Sequence, residues 1–546
     1  MFVDSETIRF LWPELILVLC AAWIYLGGTF RGSRRWWVAF ALAAYLLALG
    51  VILGLEGPAT TSGDRGGLAS GPILVDQLGM ICRCFAILVG ILLTLLMSKS
   101  TRHDLGSEYQ GTLMLLVVGL MLVARANDLV LLFVSLELIS VPTYVLLFLG
   151  RRDRGTSEAT LKYFLLSILS SAMLLYGMSF LYGLTGTTSL RGIQAAVSTQ
   201  PSVAALSFAS LGISPDALIY LSLVFLVAGL GFRLAAVPFH FYAPDVFQGV
   251  THANAALLSV VPKVAGLLAF TRLVILGFPQ AASQAWEILL VLSILTMTLG
   301  NVCALWQQNL RRLLAYSSIA HAGYILIGIT VALADSQRAG DSQGGVAAAL
   351  VYVVVYAVAA LGSFAVLAYL GSEQNEVHGV DELAGLARTR PFAATALSIC
   401  MFSLAGLPPL AGFWGKLVLF LGAVQTSSGG LTVQVMQWFM ILAIAGAINA
   451  AIGAAYYLRV IATMFFRAPA KTLDAEGGDG AAVVMLVCAS LVVAIGLFPG
   501  IALNLARKAE ASLRAPVSLA AQDPDRSQPR PVEHAWHAPE PPRTNL

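Results

Sequence analysis

The chain has 546 residues, of which 58% are hydrophobic and only 11% charged, with a formal net charge of +3 and a mean hydropathy of +0.82. A soluble domain carries about 25% charged residues, so this composition excludes a water-facing globule and requires that most of the outer surface meet lipid. So small a net charge implies no nucleic-acid partner.

A helix needs about 20 apolar residues to cross the hydrocarbon core. By that measure about fourteen spans are predicted: residues 10–30, 36–54, 73–97, 109–125, 128–149, 158–184, 216–238, 253–276, 285–306, 312–334, 345–370, 392–424, 433–466 and 481–500. The first has no basic stretch before it and no small-residue cleavage site after it, so it reads as a retained membrane helix rather than a signal peptide. The break at Ala124–Asp128 is short, and the stretches 216–250 and 392–424 are interrupted. The tail from about Ala515 is rich in Pro, Gln, Asp and Arg and is expected to be disordered. Its His534 and His537 read as solvated rather than metal-bound.

Basic residues cluster in alternate loops: Arg31, Arg34 and Arg35; Lys99 and Arg102; Arg151, Arg152 and Arg154; Arg311 and Arg312; Arg388 and Arg390; Arg467 and Lys471. The intervening loops hold single basic residues, Arg65, Arg125, Arg191 and Arg338. The excess of Lys and Arg marks the cytoplasmic side. Odd-numbered connections are therefore expected to be cytoplasmic, with both termini on the other side, which agrees with an even helix count.

Cys20, Cys82, Cys84, Cys303, Cys400 and Cys488 all lie in apolar segments. They lack zinc or iron–sulfur spacing and read as small core residues. No Gly-x-Gly-x-x-Gly follows a strand and no Walker loop occurs. The chain is therefore expected to bind no cofactor or metal, to carry no redox centre and to have no nucleic-acid partner.

Ionisable residues at bilayer depth are costly and usually face a protein interior or a water path. Glu137 lies near the centre of the fifth span and Lys162 about one turn into the sixth. As residues of neighbouring helices they read as a pair that can close and open, a switch. A snorkelling Lys162 or a fixed ion pair is the plainer alternative. Lys263 sits midway along the eighth span, roughly 15 Å from either interface, directly after Pro262. Arg233 precedes Pro238, His240 and Pro244, and Lys416 follows Leu-Ala-Gly-Leu-Pro-Pro-Leu-Ala-Gly-Phe-Trp-Gly. Both regions read as discontinuous helices, which membranes tolerate only where the open backbone is buried or lines a wet cavity. Paired breaks point to an inverted-repeat transporter. His321 lies at mid-depth, either as a hydrogen-bonded core histidine or as a proton relay. His240 and His252 fall near interfaces and weigh less. Arg83, with Asp76 and Gln77, reads as a structural or subunit-contact charge.

The predicted fold class is an all-α polytopic membrane protein with two inverted five-helix repeats, each containing a discontinuous helix. The expected divisions are residues 1–108 (helices one to three), 109–276 (first repeat), 277–470 (second repeat), 471–514 (last helix and flanks) and 515–546 (polar tail).

Five strings carry a family resemblance: 133–138 Phe-Val-Ser-Leu-Glu-Leu, 158–164 Glu-Ala-Thr-Leu-Lys-Tyr-Phe, 237–249 Val-Pro-Phe-His-Phe-Tyr-Ala-Pro-Asp-Val-Phe-Gln-Gly, 311–324 Arg-Arg-Leu-Leu-Ala-Tyr-Ser-Ser-Ile-Ala-His-Ala-Gly-Tyr, and 402–416 Phe-Ser-Leu-Ala-Gly-Leu-Pro-Pro-Leu-Ala-Gly-Phe-Trp-Gly-Lys. With the span count they cover nearly the whole chain. Together they resemble the antiporter-like membrane subunits of respiratory complex I, the proton-pumping NADH:quinone oxidoreductase, and most closely its subunit N group.

The resemblance implies proton translocation coupled to quinone reduction elsewhere in the complex, with NADH, FMN, iron–sulfur clusters and quinone in other subunits. It implies an M-type antiporter-like neighbour, small K-, J- and A-type subunits and lipid as partners, in a bacterial plasma (inner) membrane. It assigns proton transfer to Glu137, Lys162, Arg233, Lys263, His321 and Lys416. Arg233 stands at a family lysine position, and Thr251–Asn254 replaces a Pro-containing family segment. The fold is shared with multi-subunit cation/proton antiporters and energy-converting hydrogenases, which are the alternative functions.

Overall fold

Inside lipid every backbone N–H and C=O needs an internal partner, and a helix supplies it. The computed structural model describes the chain except residues 1–4, 31–32, 62–67, 101–104, 152, 200–214, 278–281, 336–343, 372–375, 429–432, 470–472, 474 and 515–546. The loop charges Arg31, Arg65, Arg102, Arg152, Arg338 and Lys471, and the polar tail with His534 and His537, lie outside the described residues.

The chain begins with α1 (Ser5–Phe10), α2 (Trp12–Gly28) and α3 (Arg34–Thr61). A small antiparallel hairpin, β1 (Leu68–Ser70) with β2 (Ile73–Val75), precedes α4 (Gln77–Ser100). Then come α5 (Gly106–Val123), α6 (Leu129–Gly150), α7 (Arg154–Thr185), α8 (Leu190–Thr199) and α9 (Pro215–Leu234). The short α10 (Ala243–Gly249) leads into α11 (His252–Phe270), which continues as a π-helix over Thr271–Leu276. There follow α12 (Ala282–Leu305), α13 (Leu310–Asp335), α14 (Gly345–Leu370), α15 (Pro391–Ala405), α16 (Ala411–Ser428), α17 (Val433–Phe466), α18 (Gly478–Leu497) and α19 (Pro499–Arg514).

Twelve of these helices are long and apolar enough to cross a membrane, and Trp12–Gly28 and Pro391–Ala405 are shorter apolar helices. Each of the fourteen predicted spans is largely helical, with ends shifted by a few residues, and 392–424 is divided between α15 and α16. The short break at Ala124–Asp128 is real: the Asp128 carboxylate caps α6 by accepting from the amides of Val130 (2.8 Å) and Leu131 (3.3 Å). Two features went unanticipated. The start of the predicted span 73–97 is a strand, and α19 is a surface helix that buries Ala506, Ala509 and Leu513 and exposes Ile501.

Three helices form the centre. In the apolar 18-residue stretches of His252–Leu276, Leu310–Ala334 and Gly345–Leu370, 94%, 100% and 94% of residues are buried, against 33% in Val433–Phe466. The peripheral helix presents Ile441, Ile444 and Ile448 outward, the surface that lipid covers. Close helix approach depends on small residues: a methyl on Gly300 would come within 2.5 Å of the Ala320 amide nitrogen. At the N-terminal side, Arg83 pairs with Glu14 at 2.7 Å and Arg272 grips Asp76 in a two-point contact at 2.6 and 2.7 Å, all four side chains buried. Arg83 and Asp76 are thus interhelical ties within this chain.

Candidate functional site: a line of buried charges between two broken helices

Both anticipated breaks are present. α9 stops at Leu234, Ala235 takes a left-handed conformation (φ 57°), and the Ala236 amide reaches back to the Gly231 carbonyl at 2.8 Å. The chain resumes as α10 after a cis Val237–Pro238 bond. α15 ends at Gly406 (φ 87°), a cis Pro408–Pro409 bond follows, and α16 begins at Ala411.

Arg233 occupies the last turn of α9. Its guanidinium donates to the Glu137 carboxylate at 3.2 Å, to Ser140 Oγ at 2.9 Å and to the Leu136 carbonyl at 3.3 Å. Glu137 also accepts from Ser171 Oγ at 2.5 Å. Lys162 does not approach Glu137. It pairs with Glu158 at 2.6 Å, one turn earlier on its own helix, and with Asp245 at 3.4 Å, and its side chain is 43% exposed. The predicted Glu137–Lys162 pair is therefore replaced here by Glu137–Arg233. Ser171, not Lys162, is the α7 residue level with Glu137; the two positions are nine residues apart, roughly 13 Å along the helix.

Arg233 approaches α11 where Gly266 leaves room: a methyl there would lie 3.0 Å from the Leu234 side chain and 3.6 Å from Arg233 Cβ. One turn earlier on α11, Lys263 is buried. Its ammonium donates to Ser318 Oγ at 2.5 Å and lies 5.9 Å from the centroid of the Tyr356 ring, whose hydroxyl donates to the same Ser318 oxygen at 2.9 Å. No carboxylate among the described residues reaches ion-pair distance of Lys263 or of Lys416.

His321 lies one turn along α13 from Ser317 and Ser318. Its Nδ1 meets the Tyr352 hydroxyl at 2.6 Å and its Nε2 the Tyr457 hydroxyl at 3.0 Å; Tyr457 also shares a hydrogen bond with Ser317. The ring is tilted against Tyr356 at 4.8 Å between centroids. Lys416 belongs to α16 and reaches back to the end of α15, donating to the carbonyls of Leu404 (3.0 Å) and Ala405 (2.9 Å). Those are helix-end carbonyls without intrahelical partners, at the negative end of the helix dipole. The ammonium lies 5.1 Å from the Tyr324 ring centroid. Gly406 serves twice here, in its left-handed φ and because a methyl on it would sit 2.8 Å from Lys416 Cδ. A cavity of about 10 Å³ lies between His321, Tyr352, Tyr356 and Lys416, about the smallest volume that holds a water.

Arg233, Lys263, His321 and Lys416 thus fall in sequence across the buried middle, with Glu137 at one end; Lys162 stands apart. The sequence reading missed Ser318, Tyr352, Tyr356 and Tyr457, which surround Lys263 and His321. The i,i+4 placement of Tyr352 and Tyr356 on one otherwise apolar helix was the available signal. Their hydroxyls can donate and accept, and they form two hydrogen-bonded groups, Lys263–Ser318–Tyr356 and Ser317–Tyr457–His321–Tyr352, which meet where the Tyr356 and His321 rings touch. Among the described residues no group of three or more His, Cys, Asp or Glu side chains is placed to hold a metal.

Residues 126–441 match the family described as NADH:quinone oxidoreductase/Mrp antiporter, TM. NADH-quinone oxidoreductase subunit N of Rhodospirillum rubrum is 36% identical over 507 residues, 92% of this chain and 96% of that protein. Subunit N 1 of Rhizobium meliloti is 38% identical over 473 residues, 86% of this chain and 90% of its own length. A chain of respiratory complex I from Thermus thermophilus superposes with a TM-score of 0.71 at 30% identity, covering 90% of this chain and 98% of that one. A chain of the Mrp complex from Dietzia sp. reaches a TM-score of 0.75 at 18% identity over 93% of this chain and 98% of its own, and shares the fold. Identity at this level, sustained from the N-terminal helices through both breaks, places the chain in the NADH:quinone oxidoreductase/Mrp antiporter family, among the subunits N of NADH-quinone oxidoreductase.

Proposed function

We propose that this membrane-arm subunit moves protons along the line Glu137–Arg233–Lys263–His321–Lys416, half-buried at Glu137 and buried from Arg233 onward, driven by NADH-to-quinone chemistry in other subunits of the complex. The observation that carries the reading is the pair of hydroxyl and imidazole groups, Lys263–Ser318–Tyr356 and Tyr457–His321–Tyr352, that meet at the Tyr356–His321 ring contact and line the cavity beside Lys416. A lysine without a carboxylate partner can alternate between charged and neutral forms. Arginine stays protonated, so Arg233 acts as a fixed charge that restrains Glu137.

The complex that houses this chain would carry NADH, FMN, iron–sulfur and quinone sites in its other subunits. An M-type neighbour and small K-, J- and A-type subunits would flank it, and lipid would cover its outer helices. The divisions 109–276 and 277–470 would be two inverted repeats, each supplying one broken helix. The bacterial inner membrane is the proposed location, with both termini outside. A reporter fused at Leu546 should read non-cytoplasmic; a cytoplasmic signal overturns that orientation.

The functional test is isolation of the complex through this chain, followed by reconstitution in vesicles. Flavin and iron–sulfur signals with NADH-driven proton uptake are expected. Cation/proton exchange without any electron donor would make the chain an antiporter subunit instead.

A further inference from the structure

We propose that His252 is the cytoplasmic proton-input group of this chain, passing protons along one face of α11 to Lys263. This rests on the proton-path reading and adds a residue that the buried line does not include. Predicted from sequence as an interface residue of little weight, His252 is in fact 3% exposed. Both ring nitrogens are buried and meet no hydrogen-bond partner among the described residues. The Val377 backbone flanks the ring without reaching hydrogen-bond geometry. Nearly all buried polar groups are paired, with protein or with ordered water. An imidazole held this way has water as its available partner, and it offers one nitrogen to accept and one to donate.

Its position makes that arrangement useful. Thr251 caps α11, and His252 is the first residue of the helix. His252, Ser259 and Lys263 are spaced i, i+7 and i+11, which is one face of an α-helix. Ala256 falls on the same face, and its carbonyl accepts from Ser259 Oγ at 2.7 Å. Ser259 neighbours the Tyr356 hydroxyl, which donates to the Ser318 oxygen that also holds Lys263. The stripe covers roughly 16 Å of the helix axis between the two positions, at 1.5 Å per residue.

Beyond His252 lies a charged mouth built by three loops that the basic-residue count assigns to the cytoplasm. Arg151 and Arg311 each bind Glu376 at 2.6 Å, and Arg311 also contacts the Val250 carbonyl at 2.5 Å and His378 Nδ1 at 2.9 Å. Arg151, Arg311 and His378 are the groups whose charge bears on the ring, and Glu376 joins the two arginines. His378 is exposed, so the mouth meets water. In the relay one ring nitrogen takes a proton from the mouth side while the other gives one to the α11 side. One N–H bond forms as one breaks, and the imidazole ends neutral, ready to reset.

The test uses the whole complex in vesicles, with NADH as donor and the membrane potential as readout, because imidazole dissipates a pH gradient. Assembled His252→Ala should generate potential on the order of a hundredfold more slowly, and added imidazole should restore most of the rate without affecting the unmodified complex. His252→Gln, which keeps size and hydrogen bonding but cannot relay, should be equally slow and answers the question if the alanine variant fails to assemble. Unchanged rates in the assembled variants overturn the proposal, as does a deficit in His252→Ala that imidazole leaves in place. Lys263→Ala in the same vesicles separates the two readings. If it pumps normally, the proton path itself fails; if it is inactive while the His252 variants are normal, only the relay fails.

Discussion

At the first break the cation belongs to the half-helix that ends, and at the second to the half-helix that begins. Arg233 reaches away from its own break to a carboxylate on α6. Lys416 reaches back across its break and is held by two helix-end carbonyls and a ring face. The first arrangement holds a full countercharge beside a cation that keeps its proton. The second offers only partial charges to a cation that can lose one. Lys263, midway between them, resembles the second, with one hydroxyl and a ring face. The two broken helices, alike in sequence logic, thus hold their cations differently: one against a carboxylate, the anchored side, and the other against carbonyls and a ring face only, the adjustable side of the proposed path.

The largest expected effect comes from unpairing the anchored side. Glu137→Leu would leave the Arg233 guanidinium buried with only Ser140 and the Leu136 carbonyl; with Glu137 itself 31% exposed, the loss lies at or below the low end of the roughly 3–5 kcal/mol of a fully buried pair and should appear as impaired assembly or a lowered thermal midpoint. Normal assembly would show that the pair is not an anchor. On the adjustable side, Gly406→Ala forces a left-handed alanine, costing roughly 1–2 kcal/mol, and also displaces Lys416. Pumping should fall well beyond any loss of assembled complex. Gly50→Ala, where a methyl meets nothing within 4 Å, is the control and should behave as the unmodified protein. The smallest effect is expected for Arg233→Lys, which keeps the charge: it should retain much of the proton uptake that Arg233→Ala loses. Equal, full uptake in both would remove Arg233 from the mechanism and the contrast with it.

Much of this was legible in the residues. Apolar runs mark spans because lipid allows few alternatives, and the Pro- and Gly-rich strings near Pro238 and Pro408 mark the breaks. Lys263, His321 and Lys416 stand out because an ionisable group at bilayer depth needs a reason. What could not be read was register between helices. Whether Lys162 or Ser171 faces Glu137 depends on how α6 and α7 pack, and no local pattern encodes it. The tyrosines were hidden for a related reason: Tyr352 and Tyr457 are buried, while Tyr176 and Tyr182 are exposed on the outer face, and the letter is the same. His252 was discounted because distance along the chain from a span's end is a poor guide to burial when loops fold over it.

On the proposed path Lys263 carries protons between the anchored and adjustable sides. The most direct measurement is NADH-driven quinone reduction and proton uptake in vesicles containing fully assembled complex with Lys263→Ala or Lys263→Arg. Both should lose coupled pumping, the first for want of a carrier and the second because arginine does not release its proton in the working range. Normal proton uptake in either assembled variant would contradict the account.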